Sequence, residues 1–392
     1  MPRFARILEH VEDPIWRRRL YAFERVFERL LPLGGMSEGN QIEVFTERDL
    51  IVEAMLQAIA KAQKRVWLEV YIFEPDPIGF AFREALVKAA QRGCEVILIY
   101  DHFGSSKLTA SFLEPLFQGG VQAFDFNPIW PWRKKGPLLF RDHRKILIID
   151  LDVSFCGSMN IGLNPGMLFR EAVMRIEGPA THDLAKLFLD SLHETTGQNK
   201  NEIGSERQYQ GGVTAQVLGS NQRRKLRAIQ HSMELTLRRA EYTCYFTTPY
   251  FLPYEKLRKS MIEAAQRGVD VRLLTAGLSD VPLMRLASHH VYGQFLKAGI
   301  RIYELYGQTL HAKTAAIDGV YAWVGSYNLD HWSARRNLEV NVGVIDRHMA
   351  QVLESHFEAD LKNAREIALP VWKNRSWLKR ILNWLAYQLM RL

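Results

Sequence analysis

HAKTAAIDGVYAWVGSYN, residues 311–328, and HRKILIIDLDVSFCGSMN, residues 143–160, share one pattern, H-x-K-x4-D-x6-G-S-x-N, with no gap. A lone H-x-K says little, because both residues are common on surfaces. Six residue types held at one spacing twice in a chain mark a duplicated functional element. A glutamate follows each histidine at the same distance, Glu171 in the first copy and Glu339 in the second.

The duplication extends outward from the motifs. Residues 89–93 (AAQRG) return as 264–268, each time followed by an apolar strand-like run, CEVILIY and then VDVRLLT. Between about 40 and 126, predicted helices (49–63, 80–92, 113–119) alternate with predicted strands (65–73, 95–100, 122–126). Such alternation with short connections indicates sheets covered by helices. The chain therefore reads as two copies of one α/β unit, at 37–205 and 206–365, separated by the polar stretch 195–212.

Two terminal segments flank the units. In 1–36, residues 14–31 carry an apolar stripe of Trp16, Leu20, Phe23, Phe27 and Leu30, which suits a helix docked on the core or lying at a lipid interface. In 366–392, Leu378, Leu382, Leu385 and Leu389 form a stripe beside Trp377 and Trp384, among Lys and Arg, and residues 371–392 carry no acidic side chain. That composition suits a membrane surface, with docking onto the protein's own core as the alternative. Residues 124–141 add a Pro-rich loop with Trp130, Trp132, Arg133, Lys134 and Lys135, fit for a membrane interface or for stacking on single-stranded nucleic acid.

The formal charge of +8 favours an anionic partner, nucleic acid or acidic lipid. Three widely spaced cysteines, without Cys/His metal spacing, read as buried thiols in a reducing compartment. No signal peptide is expected, since the first 20 residues lack an apolar core. The longest charge-free run, 153–169, is broken by Ser, Asn, Gly and Pro, and a membrane-spanning helix needs about 20 mostly apolar residues.

Alternate residues on a strand share a face, so His143 points with Lys145 and His311 with Lys313. Asp150 and Asp318 have the opposite parity, and their part in the motif is expected to be structural. Ser158, Asn160, Ser326 and Asn328 return towards the histidines at the turn and are expected to bind phosphate. Two half-sites related by a pseudo-twofold axis then bring two imidazoles and two ammonium groups to one point. That is a donor-rich cationic site with no evident metal ligand set and no need of a cofactor, and its guest is a phosphodiester. One neutral imidazole attacks phosphorus while the other, protonated, serves the leaving alcohol. Glu171 and Glu339 each accept an N–H from a histidine and orient it.

These motifs resemble the H-K-D motifs of the phospholipase D superfamily over about residues 40–365. The resemblance implies a pair of α/β/α sandwiches with the active site at their interface and a covalent phosphohistidine. It also implies His143 as nucleophile and His311 as general acid/base. Within the superfamily, 143–145 (HRK), 160–162 (NIG), 325–330 (GSYNLD), Ser333 and 337–341 (NLEVN) are most similar to bacterial cardiolipin synthases of the shorter type, without leading transmembrane helices. Many of those synthases carry Gly-Gly where this chain has Gly157-Ser158, which offers Ser158 as an extra phosphate donor. The resemblance thus implies a phosphatidyltransferase making cardiolipin from phosphatidylglycerol and a second phospholipid, phosphatidylethanolamine among the donors. It would be peripheral on the cytoplasmic face of the bacterial membrane, with no nucleic-acid partner. Phospholipase D hydrolysis, or phosphodiesterase action on nucleic acid, are the alternatives with the same chemistry. The sequence carries no signal for an oligomeric state.

Overall fold

The computed structural model describes residues 11–129, 139–162, 167–199, 211–221 and 226–391. In the first half the strands are β1 (Gly35–Phe45), β2 (Arg65–Val70), β3 (Glu95–Asp101), β4 (Gln122–Phe126), β5 (Ile146–Ile149), β6 (Val153–Gly157) and β7 (Val173–Glu177). Their order across the sheet is β4-β3-β2-β5-β6-β7-β1, parallel from β4 to β2 and antiparallel thereafter. The second half repeats it with β8 (Val213–Asn221), β9 (Thr243–Thr247), β10 (Asp270–Ala276), β11 (Arg301–Leu305), β12 (Thr314–Ile317), β13 (Tyr321–Gly325) and β14 (Asn337–Ile345). There the order is β11-β10-β9-β12-β13-β14-β8. Antiparallel pairing of β1 with β8 joins the two sheets at their first strands.

Residue parity along the strands sorts the core into layers. Val66, Leu68, Val96 and Leu98 face outward onto α2 (Arg48–Lys61), α3 (Pro77–Gln91) and α4 (Ala110–Gln118). Trp67, Ile97 and Ile99 face inward, where α5 (Ala180–Thr196) fills the space between the sheets. The second sheet covers the same central layer with Val340, Val342 and Val344, assisted by α9 (Arg347–Leu361). Its other face carries α6 (Ala228–Arg239), α7 (Glu255–Gln266) and α8 (Pro282–Lys297). Strands covered on both faces are buried along their length, and all nine residues of β14 are buried, the polar Asn337, Glu339 and Asn341 among them. This double α/β sandwich is the architecture expected from the alternation of elements.

The helix α1 (Pro14–Leu30) buries Leu20, Phe23, Val26, Phe27 and Leu30 against the outer layer of the second half. Trp16 Nε1 donates to the Gly319 carbonyl at 3.1 Å, and Phe27 packs on Tyr321. Of the two readings open for this stripe, core docking is the one realised, although Ile15 and Tyr21 of the same helix are exposed. The C-terminal helix α10 (Trp377–Arg391) behaves differently: it rests on α8 but buries Asn383 and Ala386 rather than its leucines. The loop residues Trp130, Trp132, Arg133, Lys134 and Lys135 lie outside the described residues. No helix among the described residues is long and apolar enough to cross a membrane.

Candidate active site

The motif histidines do not lie within strands. His143 and Lys145 sit between the two-residue strand Arg141–Asp142 and β5, and His311 and Lys313 between Thr309–Leu310 and β12. The reason is a handover between the two halves. Arg141–Asp142 leaves its own sheet and pairs in parallel with Asn337–Leu338 at the start of β14. Thr309–Leu310 likewise pairs with Phe169–Arg170 of the first half.

One residue further along each ladder, the register sets His143 opposite Glu339 and His311 opposite Glu171. His143 Nδ1 lies 3.0 Å from Glu339 Oε2, and His311 Nδ1 lies 2.9 Å from Glu171 Oε2. Each histidine is thus held by the glutamate of the other copy. A carboxylate on Nδ1 places the proton there and leaves Nε2 as the reactive nitrogen. The two imidazoles share one cavity of about 480 Å³ with Tyr71, Asn160, Asn328 and Arg141.

Ser158 and Ser326 correct the expectation that they bind phosphate. Both are fully buried, Ser158 Oγ donates to Glu171, and Ser326 Oγ donates to Glu339 at 2.5 Å. Each hydroxyl also accepts a backbone N–H, from Ala172 and Val340 respectively. Their hydrogens are committed to the carboxylates, so they position the glutamates. Ser158 therefore repeats the role of Ser326. Glu339 receives two further donors, Ser333 Oγ at 2.6 Å and Asn337 Nδ2 at 3.1 Å.

Asp150 and Asp318 stand away from the cavity, each one residue beyond the end of its motif strand. Asp150 accepts the backbone N–H groups of Gln63, Lys64 and Arg65, and Asp318 those of Glu241, Tyr242 and Thr243. Both adopt positive φ, +55° and +54°, at the tip of the hairpin following the motif strand. Aspartate tolerates that conformation better than most residues and ties the hairpin to the start of β2 or β9.

Lys145 and Lys313 are buried, and each donates to the carbonyl of its motif's histidine, at 2.8 and 2.5 Å. Burial lowers Lys145 to about 7 and Lys313 to about 8, against the opposing pull of nearby carboxylates. The side-chain Oδ1 of Asn160 accepts from Ile72 N–H at 3.3 Å, while Asn328 Oδ1 is buried at the cavity without a partner.

Burial, followed by the charges of Lys145, Lys313 and His311, holds His143 well below the usual histidine range. His311 is also lowered by burial, but Glu171 pulls it back. The two carboxylates differ. Burial raises Glu171, yet His311 and Lys313 outweigh it and hold the group at about 2. Burial wins at Glu339, which rises to about 7 against Lys145 and its hydroxyl donors. The site therefore pairs one histidine with a fully ionised carboxylate and the other with a carboxylate poised to share a proton.

Several residues here fall outside the six fixed positions of the duplicated pattern. Tyr71 packs edge-on to His143 at 5.0 Å, and Phe169 to His311 at 5.7 Å. Arg144 is buried and braces the site from behind, donating to the carbonyls of Leu187 and Glu339 and to Ser191 Oγ. Asp280, whose carboxylate accepts from Tyr250 OH at 2.7 Å, lines the cavity near His311. Asn337 has a readable cue, standing two residues before Glu339 on the same strand face. Tyr71 and Asp280 have none, since only the packing of the two halves brings them to the cavity.

Two half-sites that exchange carboxylates across a pseudo-twofold axis build one two-histidine site on a duplicated α/β sandwich. The family model described as "Cardiolipin synthase, PLD-like domain" matches residues 55–192 and 234–361, and the chain belongs to this phospholipase D-like family of enzymes. It is 30% identical over 377 residues to cardiolipin synthase B of Escherichia coli strain K12, covering 90% of this chain and 88% of that one. Identity to cardiolipin synthase 1 of Bacillus anthracis is 30% over 365 residues, covering 89% and 72%. The crystal structure of a phosphatidylserine synthase of Haemophilus influenzae Rd KW20 superposes with a TM-score of 0.74 over 94% of this chain and 99% of that one. At 12% identity, that likeness speaks for the fold alone.

Proposed function

We propose that this enzyme transfers a phosphatidyl group from one phospholipid to the glycerol hydroxyl of a phosphatidylglycerol, making cardiolipin through a phosphohistidine. The observation that carries the reading is the pair of imidazoles on one cavity, each fixed at Nδ1 by the carboxylate of the opposite half. His143 is the nucleophile. Its neutral Nε2 attacks phosphorus, and the bond from phosphorus to the leaving alcohol's oxygen breaks as His311 Nε2 gives that oxygen its proton. The now neutral His311 takes the proton of the incoming hydroxyl, whose oxygen displaces His143 and restores both groups. Glu171, ionised down to about 2, supports the imidazolium of His311, whereas Glu339, raised to about 7, leaves His143 more nearly neutral. Lys145, Lys313 and the amide ends of Asn160 and Asn328 stabilise the charge on the non-bridging oxygens.

The cavity wall favours a lipid over a polynucleotide. Beyond the histidines its apolar lining is Phe103, Ile129, Leu139, Val281, Met284 and Met390, which suit acyl chains, and the cations among its described lining residues are Arg48 and Arg141. Phosphatidylglycerol and phosphatidylethanolamine are the proposed substrates, met at the cytoplasmic face of the bacterial membrane by a peripheral enzyme, with Trp377 and Trp384 on the lipid side. The test is lipid analysis after incubation with phosphatidylglycerol vesicles, with and without phosphatidylethanolamine. Cardiolipin from the wild type and none from His143→Ala or His311→Ala is expected. Phosphatidic acid alone would instead identify a hydrolase.

A further inference from the structure

A surface helix normally buries its leucine stripe and turns its polar face to water. The helix α10 reverses this arrangement. Its protein-facing side is Asn383, Ala386 and Tyr387, the last 4.6 Å from the ring of His290. Leu378, Leu382, Leu385 and Leu389 point outward and are 51–57% exposed, with Ile381 and Trp377 beside them. Apolar patches of this kind on a folded surface mark a binding face.

Charge identifies the occupant. Lys373, Lys379, Arg380 and Arg391 are exposed around the patch, and residues 367–392 contain no carboxylate side chain. Leucines flanked by unopposed cations, with tryptophan at the helix start, complement an anionic lipid surface. The far end of α10 then reaches the active site. Met390 lines the catalytic cavity, and its carbonyl accepts from Nε1 of Trp332, another lining residue, at 3.2 Å. The opposite rim is apolar and open as well, with Phe103 58% and Leu139 44% exposed.

We infer that an anionic bilayer docks on the outer face of α10 and on the cavity rim, so that α10 is at once the lipid-binding helix and a wall of the active site. Lipid substrates then pass from the bilayer over Met390 and Trp332 into the cavity without crossing water. This inference rests on the phosphatidyltransferase reading for its substrate, but its docking face can be measured separately.

The experiment uses the full-length protein and the double variant Leu382→Asn/Leu385→Asn, whose side chains do not line the cavity. Sedimentation with phosphatidylglycerol vesicles, and with phosphatidylcholine vesicles for comparison, reads docking. It is repeated in the His143→Ala background so that turnover does not alter the vesicles. Withdrawing a leucine from a lipid contact costs about tenfold or more in partition, so the double variant should bind phosphatidylglycerol vesicles at least about 10-fold more weakly. Its rate on vesicles relative to its rate on monomerically dispersed dihexanoyl phosphatidylglycerol should fall by a similar factor. The inference is overturned if the wild type ignores phosphatidylglycerol vesicles or binds phosphatidylcholine equally well. It is also overturned if the variant binds as the wild type does, or if both rates fall together. A wild-type dimer that the variant dissolves would show that a second copy covers the face, and would overturn it too. Docking that behaves as expected while no phospholipid is consumed would uphold the surface and sink the transferase.

Discussion

The exchange of carboxylates between halves makes Glu171→Gln and Glu339→Gln unequal in a way that depends on the leaving group. Glu171 accepts from His311 Nδ1 at 2.9 Å in a fully buried setting. Glutamine keeps an acceptor there but removes the charge that favours imidazolium. A buried charge-assisted hydrogen bond contributes about 1.5–3 kcal/mol, which corresponds to a loss of roughly 10- to 150-fold in transfer between natural lipids. A phosphatidyl ester of p-nitrophenol needs no proton on its leaving oxygen. Glu171→Gln should therefore release a p-nitrophenol burst at close to the wild-type rate and fail in the later step, when His311 must deprotonate the acceptor. Glu339→Gln loosens the nucleophile itself, so it should lose the burst. Stopped-flow absorbance on both variants decides the matter. A burst retained by Glu339→Gln and lost by Glu171→Gln would refute both the crossed pairing and the assignment of His143 as nucleophile.

The surrounding structure sets further expected outcomes. Asp318→Ala strands three backbone N–H groups and should cost roughly 3 kcal/mol in chemical denaturation, with activity per folded molecule retained. Phe27→Ala, in a docked and fully buried position, should cost about 3–5 kcal/mol and leave vesicle binding unchanged, since α1 shows its apolar stripe to the core. Lys145 and Lys313, at about 7 and 8, lose charge as pH rises, so affinity for a short-chain phosphodiester measured by calorimetry should fall between about pH 7 and 9. Folding lowers both lysines from 10.5, so the folded protein binds fewer protons than the unfolded chain between those values. These groups therefore make stability increase with pH across that window.

The fold is legible in the sequence because its signals are local and occur twice. Strand runs such as 95–100 and 122–126 agree with β3 and β4 nearly to the residue. Asp150 and Asp318 do stand away from the cavity, but strand parity is not the reason, since β5 and β12 contain neither the histidines nor the aspartates and both aspartates sit at positive φ in the hairpin turn. The serines mislead because a hydroxyl beside a phosphate site looks like a phosphate donor. Only the crossed register shows that a buried carboxylate claims its hydrogen. That register is itself non-local, arising where Arg141–Asp142 and Thr309–Leu310 each pair with the opposite half. The two terminal stripes look alike in sequence. Which stripe meets the core depends on the surface beside it: α1 lies against an apolar outer layer, whereas α10 turns Asn383 and Ala386 to α8.

The covalent intermediate tests the central claim most directly. Wild-type and His311→Ala protein are mixed with the p-nitrophenyl phosphatidyl ester, quenched within milliseconds and digested for mass spectrometry. The account predicts a phosphatidyl adduct on His143 that persists in His311→Ala and is absent from His143→Ala. An adduct on His311 instead, or turnover with inversion at phosphorus and no adduct on either histidine, would contradict it.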